Sequence, residues 1–208
     1  DYIKSLRNRN LNVYLLGEKI SEPVDHPIIR PSINAVAKTY DLATEYPDLG
    51  TAVSPFTKKR INRFLHIAET PNDVVLQNKM QRRLGQKTGT CFQRCVGMDA
   101  LNALFSVTYE IDAQHSSDYH QRFKNFIIKM QNSGYVIGGA MTDVKGDRSL
   151  APNEQNDPDL YVHITKRTRD GVYISGAKAH QTGCINSHWM IVMPTIRLGV
   201  KDIDYAIV

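Results

Sequence analysis

The sequence predicts an α+β protein of two domains, helical over residues 1–134 and β-rich over 135–208. Up to residue 134, apolar residues recur at helical spacing between capping signals. From Tyr135 onward they fall into short runs broken by turns. With 208 residues and 41% apolar content, the chain is long enough to bury a real core as one large domain or two small ones.

Each element has its own signal. "DYIKSLRNR" is a short amphipathic start. "PSINAVAKTYDLATEY" (31–46) opens on Pro31 and Ser32 and spaces Ile33, Val36, Ala37, Tyr40 and Ala43 along one face. "TPNDVVLQNKMQRRLGQKTG" (70–89) opens on Thr70 and Pro71. "TCFQRCVGMDALNALFSVTYEID" (90–112) interleaves Phe92, Cys95, Met98, Leu101 and Leu104 at helical spacing. "SDYHQRFKNFIIKMQNSG" (117–134) carries a Ser cap and a terminating Gly134. The strands expected are "YVIGGAM", "DLYVHITKR", "GVYISGAKA" and "WMIVMPTIR", with "RDG" (169–171) as a hairpin turn. "DVKGDRSLAPNEQNDPD" (143–159) is too long to be a mere connector. "LGVKDIDYAIV" reads as extended, and the start lacks Met. The expectation is therefore an N-terminal part of a longer protein, with an incomplete β-domain.

Composition narrows the class. The net charge of +5 is modest and its basic residues are scattered, which points to solvated faces rather than a nucleic-acid interface. No apolar run approaches a membrane span, and no apolar stretch follows the first charges as a signal peptide needs. Three cysteines do not make a disulfide framework, so a reducing, cytoplasmic setting is expected.

Three stretches concentrate chemistry. Cys91 and Cys95, read as helical, would share one face a turn apart. They are either two small buried side chains, the commoner case, or half of a metal site whose other ligands lie elsewhere. His66, His115, His120 and Cys184 sit at no telling spacing from them. "GAMTDVKGDRSLAP" (139–152) is either a charged surface loop or a source of backbone N–H groups for a phosphate or a polar ring edge. "GAKAHQTGCINSH" (176–188) crowds donors into a Gly-bounded turn, more than a solvated hairpin needs.

Together, "VYLLGEKISEPVDHPIIRPSINAVAKTYDLA", "KMQRRLGQKTGTCFQRCVGMDALNALFSVTYEID", "GAMTDVKGDRSLAP", "DPDL" and "GAKAHQTGCINSH" closely resemble the N-terminal part of the 4-hydroxybutyryl-CoA dehydratases. That flavin-dependent family is grouped with the 4-hydroxyphenylacetate 3-monooxygenases and is similar in fold to acyl-CoA dehydrogenases. The resemblance runs almost from end to end. The cysteine stretch and "AHQTG" carry it toward the dehydratases, whereas "GDRS" is shared more loosely.

The resemblance implies an acyl-CoA dehydrogenase-like helical domain, a middle β-domain and a C-terminal helical bundle absent from this chain. It implies FAD, contacted by Met141, Thr142, Asp143, Val144, Lys145, Gly146, Asp147, Arg148, His180, Gln181 and Thr182. It also implies a [4Fe–4S] cluster. Cys91 and Cys95 match two of its ligands, the remaining Cys and His lie beyond this chain, and Cys184, His180 and His188 match none. Arg82 and Gln93 match positions near the active site, and the Gln93 amide is expected to reach substrate or groups behind the ligands. The implied reaction is dehydration of 4-hydroxybutyryl-CoA to crotonyl-CoA, with vinylacetyl-CoA isomerisation, in a homotetramer completed by the C-terminal part. A flavin-dependent aromatic hydroxylase and a non-catalytic binding module are the alternatives. One departure is the apolar Trp189 after "INSH", where the family is more polar.

Overall fold

Short polar residues and glycines set where the helices begin and end. The computed structural model describes all 208 residues, in two units: Asp1–Gly138 with Ile185–Trp189, and Gly139–Cys184 with Met190–Val208. The first unit holds α1 (Tyr2–Ser5), α2 (Arg30–Glu45), α3 (Pro47–Gly50), α4 (Pro71–Thr88), α5 (Cys95–His115) and α6 (Tyr119–Ser133). A capping box starts α4: the Asp73 N–H donates to the Thr70 hydroxyl, and the Asp73 carboxylate accepts from the Thr70 N–H at 2.9 Å. Gly89 and Gly134 end α4 and α6 at φ of 60° and 64°, where a side chain would be strained.

Two helix starts differ from expectation. Residues 90–94 are not helical, so Cys91 lies outside α5 and Cys95 opens it. Gln93 sits at φ 62°, which breaks the helical path that periodicity alone suggests. Nor does Ser117 cap α6. Asp112 of the preceding helix does so, accepting from the N–H groups of Tyr119 (3.0 Å) and His120 (2.8 Å), while the Ser117 hydroxyl donates to it.

The first unit also contains two hairpins that apolar periodicity did not reveal. β1 (Val13–Leu15) pairs antiparallel with β2 (Glu18–Ile20), and β3 (Thr51–Val53) with β4 (Arg60–Asn62). Leu16 and Gly17 form the first turn with φ of 53° and 86°, and Leu16 is 88% exposed, an unusual residue for such a turn. Three-residue strands are too short to show alternation. The core gathers Leu42, Phe64, Met80, Leu84, Phe92 and Met98 in one cluster, and Leu6, Val24, Ile33, Val36 and Val136 in another. Each such side chain contributes about 1.5–3 kcal/mol by leaving water.

In the second unit, β6 (His163–Thr168) and β7 (Gly171–Ser175) form the hairpin expected around Arg169 and Asp170. β5 (Ile137–Ala140) pairs with β8 (Trp189–Val192), and the unit boundary falls within both strands. The C-terminal segment is not a strand. Val200–Tyr205 is a 3-10 turn because the buried Asp202 carboxylate accepts from the N–H groups of Gly199 (2.8 Å) and Asn153 (3.0 Å).

One half-buried histidine in the first unit, His188, makes stability depend on pH. His188 Nδ1 accepts the Val136 N–H at 3.0 Å, so the ring proton sits on Nε2, facing the Ser5 hydroxyl at 2.8 Å. The ring stacks on Tyr135 at 4.5 Å. Burial, with Arg9 and Arg94 nearby, pushes its pKa down to about 4. The unfolded chain takes up this proton near pH 6.5 and the folded one does not. Stability is thus full above pH 6.5 and is expected to fall as pH drops toward 4, by at most about 1.4 kcal/mol per pH unit. Urea midpoints should follow this slope in the parent protein, and His188→Asn should flatten it. An equally steep slope in the variant would assign the effect to other groups.

Candidate functional site

The residues singled out by sequence fall into two groups, one in each unit. In the first, the peptide "CFQRC" (91–95) is anchored by its middle. Phe92, Gln93 and Arg94 are buried, while Cys91 is exposed and Cys95 half-buried. Phe92 packs on Phe64, with ring centroids 5.7 Å apart. The Gln93 amide is taken at both ends, donating to Ser32 O at 3.2 Å and accepting from Asn186 Nδ2 at 2.6 Å. Both ends of the amide thus hold this peptide in place, behind the two cysteines. Arg82 is exposed on α4; its neighbour Arg83 donates to the Tyr46 hydroxyl at 2.9 Å.

Both thiols share one local field. Burial pushes the Cys95 thiol up, a negative charge on Cys91 pushes it further, and the N–H of Val96 at the start of α5 works against both. Cys91 is exposed and Cys95 half-buried, so both thiols can be approached from outside, as two ligands of one metal group require. No group of three or more His, Cys, Asp or Glu side chains assembles in this chain to hold a metal alone. His66 instead lies 3.3 Å from Asp73, and His120 faces the Thr108 hydroxyl. The donor set thus suits half of a four-ligand site.

In the second unit, the loop from Met141 and the turn around His180 are tied together. Thr142 O accepts from Ala179 N–H at 2.8 Å and from Gln181 Nε2 at 3.3 Å, and Gln181 also donates to Ala179 O. Lys178 joins three segments: its ammonium pairs with Asp143 and donates to Met141 O (3.1 Å) and Met193 O (2.6 Å). The Asp143 carboxylate also accepts from the Thr195 hydroxyl at 2.7 Å. Asp143 and Gln181 therefore brace the loop.

Farther on, the Gln155 amide accepts from Asp147 N–H (3.1 Å) and donates to Asp147 O (2.8 Å). The Tyr161 hydroxyl donates to Lys145 O at 3.1 Å. Lys145 and Gly146 take φ of 81° and 51°, and a Cβ on Gly146 would strike Gln155 and Leu160. What remains for a ligand is a set of outward groups: Met141, Val144, Arg148, His180 and Thr182 are exposed. Backbone N–H groups, hydroxyls and a guanidinium beside two apolar side chains fit a flat, polar-edged ring carrying phosphate.

A family model described as "4-hydroxyphenylacetate 3-hydroxylase N terminal" matches residues 1–208. The chain belongs to this 4-hydroxyphenylacetate 3-hydroxylase N-terminal family. Among its relatives, it is 54% identical over 208 residues to the 4-hydroxybutyryl-CoA dehydratase/vinylacetyl-CoA-Δ-isomerase of Clostridium aminobutyricum, covering 99% of this chain and 42% of that protein. An oxygen-tolerant archaeal 4-hydroxybutyryl-CoA dehydratase from N. maritimus superposes with a TM-score of 0.96 at 65% identity, over 99% of this chain and 41% of that one. A 4-hydroxyphenylacetate 3-monooxygenase oxygenase component, solved in complex with FAD, is more distant. It has a TM-score of 0.76 at 24% identity over 99% of this chain and 42% of that one, and shows the fold alone. The chain therefore spans about two fifths of the length of these relatives. Mixed helix and strand, as expected, is the fold shared with the 3-hydroxylase N-terminal family.

Sequence reading of this family member missed Arg94 and Lys178, the two most buried cations of these groups. A lone Arg or Lys carries no local signal of burial. For Arg94, the one hint was its place between two cysteines.

Proposed function

We propose that the protein containing this chain dehydrates 4-hydroxybutyryl-CoA to crotonyl-CoA, and isomerises vinylacetyl-CoA, with FAD and a [4Fe–4S] cluster. The observation that carries this reading is the outward thiol pair Cys91 and Cys95 on a buried bridge, in a chain 54% identical to such a dehydratase. The substrate's β-hydrogen is too weak an acid for an ordinary base. When bound, FAD supplies one-electron chemistry and the cluster a Lewis-acid iron for the departing hydroxyl.

This chain's own residues bind and orient. Thr142 and Thr182 offer hydroxyls to the flavin's polar edge, Arg148 offers charge to a phosphate or the ring, and Met141 and Val144 cover its apolar part. Cys91 and Cys95 supply two thiolates, their protons leaving as metal binds. The remaining ligands and the acid–base groups belong to the C-terminal part, in an acyl-CoA dehydrogenase-like arrangement and a cytoplasmic homotetramer. No helix of this chain is long and apolar enough to cross a membrane.

The test is metal content. In the full-length protein prepared without oxygen, Cys91→Ala or Cys95→Ala is expected to abolish cluster assembly, read as iron and acid-labile sulfide per protomer. Normal iron and sulfide in either variant would remove the cluster and favour the aromatic hydroxylase of the more distant relatives, which leaves these thiols without a task.

A further inference from the structure

Arg94 is 1% exposed, yet no carboxylate accompanies it. Its guanidinium lies 5.0 Å from the Tyr40 ring centroid and 4.7 Å from that of Phe64, and Nη1 donates to the Thr39 hydroxyl at 2.9 Å. Nε and Nη2 have no hydrogen-bond partner. For packing alone this is a poor choice, since a buried cation without an acid is costly and an apolar side chain of similar volume would fill the space better. What a stacked guanidinium adds is orientation. A flat group held by two aromatic rings and one hydroxyl has few ways to sit.

Its backbone lies directly before Cys95 and three residues after Cys91. Gln93, fixed to Ser32 and Asn186, holds the same peptide from the other side. We propose that Arg94 is the positioning residue of the two-thiol bracket: its stacked guanidinium sets the spacing of Cys91 and Cys95 before any metal arrives, and so determines how firmly the cluster is retained. The inference rests on the dehydratase reading above and adds to it a residue that touches neither metal nor substrate.

The experiment uses the full-length protein purified without oxygen and reads iron content, the cluster's absorption spectrum, and the rate at which a ferrous chelator strips iron. Arg94→Met is expected to lose iron about tenfold faster than the unmodified protein, the scale on which supporting partners of metal ligands act. Arg94→Lys should not restore the rate, because an ammonium has no planar face to lay against the rings of Tyr40 and Phe64. Thr39→Val, which removes one hydroxyl and keeps the shape, should shift the rate in the same direction by about twofold to threefold, a fraction of that effect. It keeps the test open should Arg94→Met fail to fold.

Met130→Ala is the comparison for general loosening, since Met130 is fully buried on α6 outside the cluster that holds Phe64 and Phe92. It should lower the melting temperature and leave the stripping rate unchanged. The proposal is overturned if Arg94→Met and Thr39→Val strip at the unmodified rate, if Met130→Ala strips as fast as Arg94→Met, or if Arg94→Lys behaves as the unmodified protein. Full iron in Cys91→Ala would instead sink the cluster reading itself, a separate outcome.

Discussion

Methionine in place of Lys178 is expected to destabilise the protein by about 3–5 kcal/mol, the usual cost of leaving one member of a buried ion pair unpaired. The side chains of Lys178 and Asp143 are 8% and 2% exposed, so water cannot replace the lost partner. Three acceptors lose their donor at once: Asp143, Met141 O and Met193 O. Asp143 keeps only Thr195. The loop beginning at Met141 is the one proposed to hold the flavin, so FAD affinity should fall along with the melting temperature. Asp143→Asn alone leaves the ammonium short of its counter-charge. The double variant, with both charges removed, should be less destabilised than the sum of the two single ones. Thermal scans and flavin titrations of the four proteins give the cycle. Strict additivity would mean that the pair is not coupled as its geometry states.

Alanine at two helical glycines should act with opposite sign. A Cβ on Gly97, in the first turn of α5, would overlap the Ile137 carbonyl at the start of β5. The carbonyl carbon and oxygen it meets are backbone, so no side-chain rotation relieves the overlap, and helix and strand must separate. Gly97→Ala is expected to cost about 3 kcal/mol or more, at or above the top of the range for overpacking. Gly85, on α4, meets nothing within 4 Å and has an ordinary helical φ. There alanine removes only unfolded-state freedom and should stabilise by about 0.5–1 kcal/mol. Urea denaturation of both variants checks the pair; a neutral Gly97→Ala would show that α5 can shift without loss.

Helix identity was legible wherever a local chemical signal marked an end. Thr70, Pro71 and Asp73 start α4, and Gly89 and Gly134 stop two helices, because caps and left-handed turns depend on residues within a few positions. The site was legible only as a set of segments. "CFQRC", the loop from Met141 and the turn at His180 stand out by residue type, and the family resemblance attached roles to them.

From the sequence alone came the long helices α2, α4, α5 and α6, the β6–β7 turn and the family, but neither short hairpin of the first unit. Only the tertiary structure decided which side chains of those segments face inward. Periodicity carries residues 90–94 into a helix, but Gln93 and Arg94 have partners 61 and 55 positions away, and those long-range bonds hold the peptide out of helical shape. Val200–Tyr205 reads as strand until Asp202 finds Asn153, 49 positions earlier. Gln93, Asp143 and Gln181 look like ligand contacts in sequence and bond to other parts of the chain in the fold, while Arg148 and Thr182 are exposed, as the proposed flavin site needs. A polar side chain announces that it needs a partner, and only the folded chain chooses whether that partner is a ligand or another part of itself.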